Sequence, residues 1–203
     1  MLWPRLALAS LAGFVLITAT VHLLRPDLDA VRNQMSLYLI GPWGHLLQTA
    51  YGLLSLGMLA LAHGLRQGLQ PRARSLAPPL LFGVAAIALC VTAYAWMDMP
   101  DAPVTLQGRV HQYAAATAFL SASIGIIWQA LCFRRDSHWR GHLAWALPWA
   151  IACFGALWML GLCPDSMIGL GQKSVLAMIL GWMGAVSLRQ LQQGRRPALP
   201  AMG

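Results

Sequence analysis

Long apolar stretches, more than any motif, limit what this chain can fold into. Residues 3–24, 44–65, 76–97, 110–132, 142–163 and 169–188 are six such runs, four nearly free of charge and two slightly interrupted. Each is close to the roughly 20 residues that cross a hydrocarbon core as a helix. Lipid offers a backbone no hydrogen-bond partners, so a spanning run must satisfy its own N–H and C=O groups by winding into a helix. The expected fold class is therefore all-α, an integral membrane bundle of six transmembrane helices occupying residues 1–190 as one domain. Composition agrees. The chain has 203 residues, no Glu, a single Lys, 10% charged residues and a mean hydropathy of +0.60, whereas a soluble domain carries about 25% charge.

The first run follows Arg5 and continues to Leu24. A secretory h-region is only about 7–15 residues long, so this run reads as an uncleaved helix. Orientation follows from the loops. Arg5, Arg66, Arg72, Arg74, Arg134, Arg135, Arg140, Arg189, Arg195 and Arg196 fall on one side, and Arg25, Arg32, Arg109 and Lys173 on the other. Positive charge marks the cytoplasmic side. Both termini are expected there, with Asp27, Asp29, Asp98, Asp101 and Asp165 outside and Asp136 inside. The net charge of +8 is thus a topology signal, and no basic patch with interleaved aromatics points to nucleic acid. The tail 191–203, basic and rich in Gly and Pro, reads as disordered. Cys90, Cys132, Cys153 and Cys163 form no C-x-x-C pair and lie in or beside apolar runs, where Cys acts as a small hydrophobe.

The first outer loop, 25–43, is patterned. Leu28, Val31 and Met35 share one helical face, and Asp29, Arg32, Asn33 and Ser36 another. This spacing predicts a short amphipathic helix over 27–38, lying at the membrane surface. Trp3, Trp43, Trp96, Trp139 and Trp182 lie near helix ends, as interfacial Trp residues do.

Most chemically capable side chains collect at the outer end. They include His22, Asp29, Asn33, Ser36, His45, Tyr94, Asp98, Asp101, Arg109, His111, Asp165, Gln172 and Lys173. For any one of them interfacial placement is the plain alternative. His111 goes further, because Ala115, Ala118, Ala122 and Gly125 repeat on its face. Small residues mark the side where membrane helices approach closely, so His111 should point inward, as a satisfied packing residue or as a general base. Lys173 would pair with Asp98, Asp101 or Asp165, or anchor at the interface. Three outer His with several Asp would suit a metal, and paired His a haem, but neither has diagnostic spacing. No nucleophile elbow, P-loop or dinucleotide fingerprint is present.

Three segments carry a resemblance. They are His22–Gly64, HLLRPDLDAVRNQMSLYLIGPWGHLLQTAYGLLSLGMLALAHG; 98–119, DMPDAPVTLQGRVHQYAAATAF; and GLGQKSVLAMILGW from Gly169. Together they resemble the bacterial membrane family catalogued as domain of unknown function 998. The matching motif positions are Asp29, Asn33 and Ser36, then Pro100 and Asp101, then Gly108 and His111. Lys173 stands where members of that family often carry Arg. The resemblance implies six helices in a bacterial inner (plasma) membrane and no particular reaction. The functional expectation is binding or processing of a lipid-like or other amphiphilic molecule in an outer-facing pocket. That pocket has His111 and Asp101 as candidate catalytic residues and Asp29, Asn33, Ser36, Asp98, Arg109 and Lys173 as candidate ligand-binding residues. The cofactor is unknown. The expected partners are membrane lipids, with a membrane protein or a second copy as a further possibility. The alternatives are a structural or assembly factor and a metal- or haem-binding redox protein.

Overall fold

The computed structural model describes residues 2–99 and 102–193. Six helices carry the apolar runs: α1 Leu2–Leu24, α2 Gly44–Gly68, α3 Ala77–Tyr94, α4 Leu106–Phe133, α5 Leu143–Met159 and α6 Ile168–Gln193. No strand occurs among the described residues. The ends have local causes. Pro26 disfavours helical geometry at Arg25 and closes α1. Pro78 lies in the first turn of α3, where a missing N–H costs nothing. Thr105 caps α4, its hydroxyl accepting from Gly108 N at 3.0 Å. α5 alone is short, but 3-10 turns at Arg140–His142 and Leu160–Leu162 extend it to a 23-residue span. α6 runs past the expected boundary at 190, and the rest of the expected tail, from residue 194, lies outside the described residues.

Each helix packs on the next in sequence, and α6 closes the ring against α1. The small-residue stripe of α4 meets α3. Ala118 and Ala122 are buried there, and a Cβ at Gly125 would stand 3.4 Å from Leu81. Outward faces carry exposed Leu16, Leu80, Ile87, Ile151 and Trp158, the surface a hydrocarbon solvent covers. The bundle has an acidic end, built from 25–43, 95–99, 102–105 and 160–167, and a basic end, built from 69–76 and 134–142.

Two expectations are corrected. There is no α-helix over 27–38. Turns and bends occupy residues 26–33, followed by a 3-10 helix at Met35–Leu39 whose five residues are all buried, so this piece plugs the bundle instead of floating on its surface. Trp139 and Trp182 do not belong to an interfacial belt either. Both are fully buried at the basic end, where Phe133 stacks on Trp139 at 4.4 Å and lies parallel to Trp182 at 6.4 Å. Beside them the buried Asp136 accepts from the N–H groups of Gln70, His138 and Trp139 at 2.7, 2.9 and 3.2 Å. One carboxylate thus ties the α2–α3 loop to the α4–α5 loop.

Candidate functional site

The start of α4 explains the Gly-x-x-His spacing. Asp98 folds over the first turn of the helix, accepting from Thr105 N at 3.0 Å and from the Thr105 hydroxyl at 2.7 Å. Helix N-termini favour such a negative charge. A Cβ at Gly108 would run into the Asp98 carboxylate, so only glycine lets it lie flat there. The two Thr105 donors, helped by nearby His111, hold the Asp98 carboxyl below the usual carboxylate range. One turn on, His111 is buried at 5% exposure, and its Nδ1 donates to the Ala95 carbonyl at 2.6 Å. A carbonyl can only accept, so the proton is on Nδ1. Nε2 hydrogen-bonds no described residue.

The first loop is held from two sides. Arg25, itself buried, pairs with Asp27 at 2.8 Å and donates to Ile40 O at 2.7 Å. The hydrogen bonds from Arg25 hold the Asp27 carboxyl below its ordinary value. On the other side the start of α6 zips to residues 30–35. Leu170 N donates to Val31 O at 2.8 Å, Lys173 Nζ to Ala30 O and Asn33 O at 2.7 and 2.6 Å, and Met35 N to Gln172 Oε1 at 2.8 Å. Lys173 also lies 5.5 Å from the centre of the Tyr38 ring.

Between these pieces is a cavity of about 380 Å³, lined by Gln34 and Ser36 of the plug, Met97 and Asp98, Gln172 of α6, and Gly108, His111, Gln112, Ala115, Ala116 and Phe119 of α4. Exposed Gln112 and Ala116 put its mouth on the outer side of α4, next to Leu160 beyond α5. Ser36, Ala115, Phe119 and Gln172 also line a second, narrower cleft of about 40 Å³. Its other walls are almost wholly apolar, among them Phe14, Leu54, Leu89 and Leu176, with Tyr51 meeting Ser36. That volume admits about three water-sized groups. The polar chamber and the apolar slot therefore lie side by side, with these four residues in common.

Of the residues singled out in the sequence, Ser36, Asp98, His111 and Gln172 line the chamber. Asp29 does not reach it. Its Oδ1 accepts from Val31 N and Arg32 N at 2.7 and 3.4 Å, forming a turn at the surface. Asn33 contributes its backbone carbonyl to Lys173. Lys173 answers carbonyl oxygens and makes no ion pair with Asp98 or Asp165. Arg109 is exposed outside the cavity, and Tyr94, also exposed, lines a lateral groove with Leu106 and Val110. Asp101, with Pro100, lies outside the described residues. Gln34 and Gln112 also line it, and nothing in the sequence marks them, because uncharged amides carry no topology signal. Among the described residues no three His, Cys, Asp or Glu side chains are grouped to hold a metal ion.

Six helices of spanning length around a half-polar cavity define a multi-pass helical membrane protein. Residues 8–189 match a family model described as "Protein of unknown function (DUF998)", and the chain belongs to that family. No curated protein and no solved structure matches it.

Proposed function

We propose that the protein binds an amphiphilic molecule, head group in the chamber and a short apolar portion in the slot. The observation that carries this reading is the adjacency of the two cavities, which share Ser36, Ala115, Phe119 and Gln172. Ligand sites combine an apolar wall with a few convergent polar groups, and here the two are sorted along one axis. The mouth beside α4 gives a membrane-borne ligand a lateral route.

The lining also selects a head group. Asp98 is an ionised acceptor, and Nε2 of His111 bonds no described residue and is open to a ligand. Among the described residues no Lys or Arg lines the chamber. A head group rich in donors, such as an amine or a set of hydroxyls, fits this charge pattern better than a phosphate. If a reaction follows binding, His111 is placed to take a proton through Nε2.

Native mass spectrometry of the purified chain, followed by lipid extraction, tests the reading. The expected result is a retained amphiphile that Ala115→Leu displaces, because the added side chain fills the space where chamber and slot adjoin. Overpacking of this kind costs about 1–3 kcal/mol, so folding of the variant is checked by circular dichroism. A folded Ala115→Leu protein that retains the same molecule in the same amount would sink the proposal.

A further inference from the structure

At the opposite end of the bundle, between the α2–α3 loop and the end of α4, lies a separate cleft of about 400 Å³. Its lining includes Arg74, Ser75, Trp128, Leu131, Arg134 and Arg135. We propose that this cleft binds a phosphate group, supplied by the head group of an anionic lipid.

Four observations support it, none of them shared with the chamber at the acidic end. First, the arginines are uncompensated by any described acid. The carboxylate of this end, Asp136, is buried and spent on backbone N–H groups and on His138. The ion pairs among the described residues are Arg25 with Asp27 and His138 with Asp136, and neither involves the cleft. Second, the side chains divide into fixed and available. Arg74 is pinned by donating to Leu69 O at 2.9 Å and Gln67 O at 3.2 Å. Arg72 Nε donates to Arg135 O at 3.2 Å, locking the two loops together. The guanidinium groups of Arg134 and Arg135 hold no partner among the described residues, so their forked donors are open to a tetrahedral anion. Third, the neighbouring helix start cannot do this work alone. Ala77 N is already bonded to the Ser75 hydroxyl at 3.2 Å, and Pro78 and Pro79 have no N–H to offer. Recognition therefore falls to the arginines. Fourth, the wall beside them is the lipid-facing side of α4, where Trp128 and Leu131 are both exposed. A phosphate in the cleft would have its acyl chains lying along these two residues. Basic pockets at the ends of spanning helices bind anionic head groups in this manner.

The test uses the whole chain in nanodiscs containing either phosphatidylglycerol or phosphatidylcholine with matched acyl chains, with bound lipid counted by native mass spectrometry. Retention of phosphatidylglycerol over phosphatidylcholine is expected. Arg134→Gln with Arg135→Gln should weaken that preference about 25-fold, roughly five-fold for each basic group removed near a membrane surface. Arg140→Gln, a charge removed from the same loop but outside the cleft, should leave it nearly intact. A reporter fusion confirms that the double variant keeps its orientation, and if it inverts, Arg135→Gln alone is read with an expected five-fold loss. Equal losses in Arg140→Gln and the cleft variants would show a diffuse charge effect and overturn the site, as would no preference for the anionic lipid. A parallel titration with inorganic phosphate separates the sources. Displacement of lipid by millimolar phosphate, with the same dependence on Arg134 and Arg135, keeps the anion site but moves it to a soluble phosphate.

Discussion

One ammonium group binds the first loop to the last helix. Lys173 donates to Ala30 O and Asn33 O at 2.7 and 2.6 Å and lies over the Tyr38 ring. These bonds satisfy carbonyls that an irregular loop would otherwise leave unpaired. Hydrogen bonds to a charged donor are worth about 1.5–3 kcal/mol each, so Lys173→Met should cost about 2 kcal/mol or more in a detergent unfolding titration. Hydrogen exchange should rise over residues 27–40 in particular. Lys173→Arg keeps the charge and two donors and should retain most of the stability. Unchanged exchange in Lys173→Met would show that the loop is held without it. His111 has a comparable logic with a different result. Its Nδ1 is committed to Ala95 O, which leaves Nε2 for whatever enters the chamber.

At the scale of elements, the 26–40 segment is decided by its neighbours. Asp29 satisfies the N–H groups of Val31 and Arg32 through its side chain, a local bond that competes with helix formation. α6 then takes the carbonyls of Ala30, Val31 and Asn33 and the N–H of Met35. With those groups engaged elsewhere, helical bonding stops at the single bond from Asn33 N to Asp29 O at 2.8 Å. The contact is close because Gly169 has no side chain, and a Cβ there would collide with the Asn33 carbonyl oxygen. Gly169→Ala should therefore destabilise the protein by about 1–3 kcal/mol. Gly52→Ala in the middle of α2, where a Cβ meets nothing within 4 Å, should be neutral or gain up to about 1 kcal/mol. Thermal melts of the two variants in one detergent check the contrast, and equal effects would mean that the α6–loop contact is not tight.

For the whole molecule, the ring of six helices separates two chemically different ends. One end gathers Asp27, Asp29, Asp98 and Asp165 around an acceptor-lined chamber, and the other gathers six arginines, 66, 72, 74, 134, 135 and 140, around a buried Asp136. The charge asymmetry predicts that the basic end faces the cytoplasm. Reporter fusions after residue 70 and after residue 104 measure this directly. The expected outcome is a cytoplasmic signal at 70 and a periplasmic one at 104, and the reverse pair would invert the molecule. Inversion would also place the proposed amphiphile chamber on the cytoplasmic side and the phosphate cleft on the outer side.

The sequence alone determined the number of helices, their rough limits and the inward face of α4. Those features depend on apolar length and on small residues at helical spacing, which act within one segment. Gly108 and His111 were likewise legible as a pair, because both lie in the first turns of one helix. What only the tertiary structure decided are features that join distant segments. The 27–38 pattern suits an amphipathic helix in isolation, yet the start of α6, about 140 residues later, claims its backbone groups. Asn33 and Lys173 share that contact and Asp29 closes a surface turn, while the amides Gln34 and Gln112 reach the chamber without any charge to announce them. Trp139 and Trp182 read as interface anchors until packing against Phe133 buries them. Periodicity reports which face of a helix is apolar or small. It does not report which neighbour will offer a hydrogen-bond partner, and in lipid that choice places the loops.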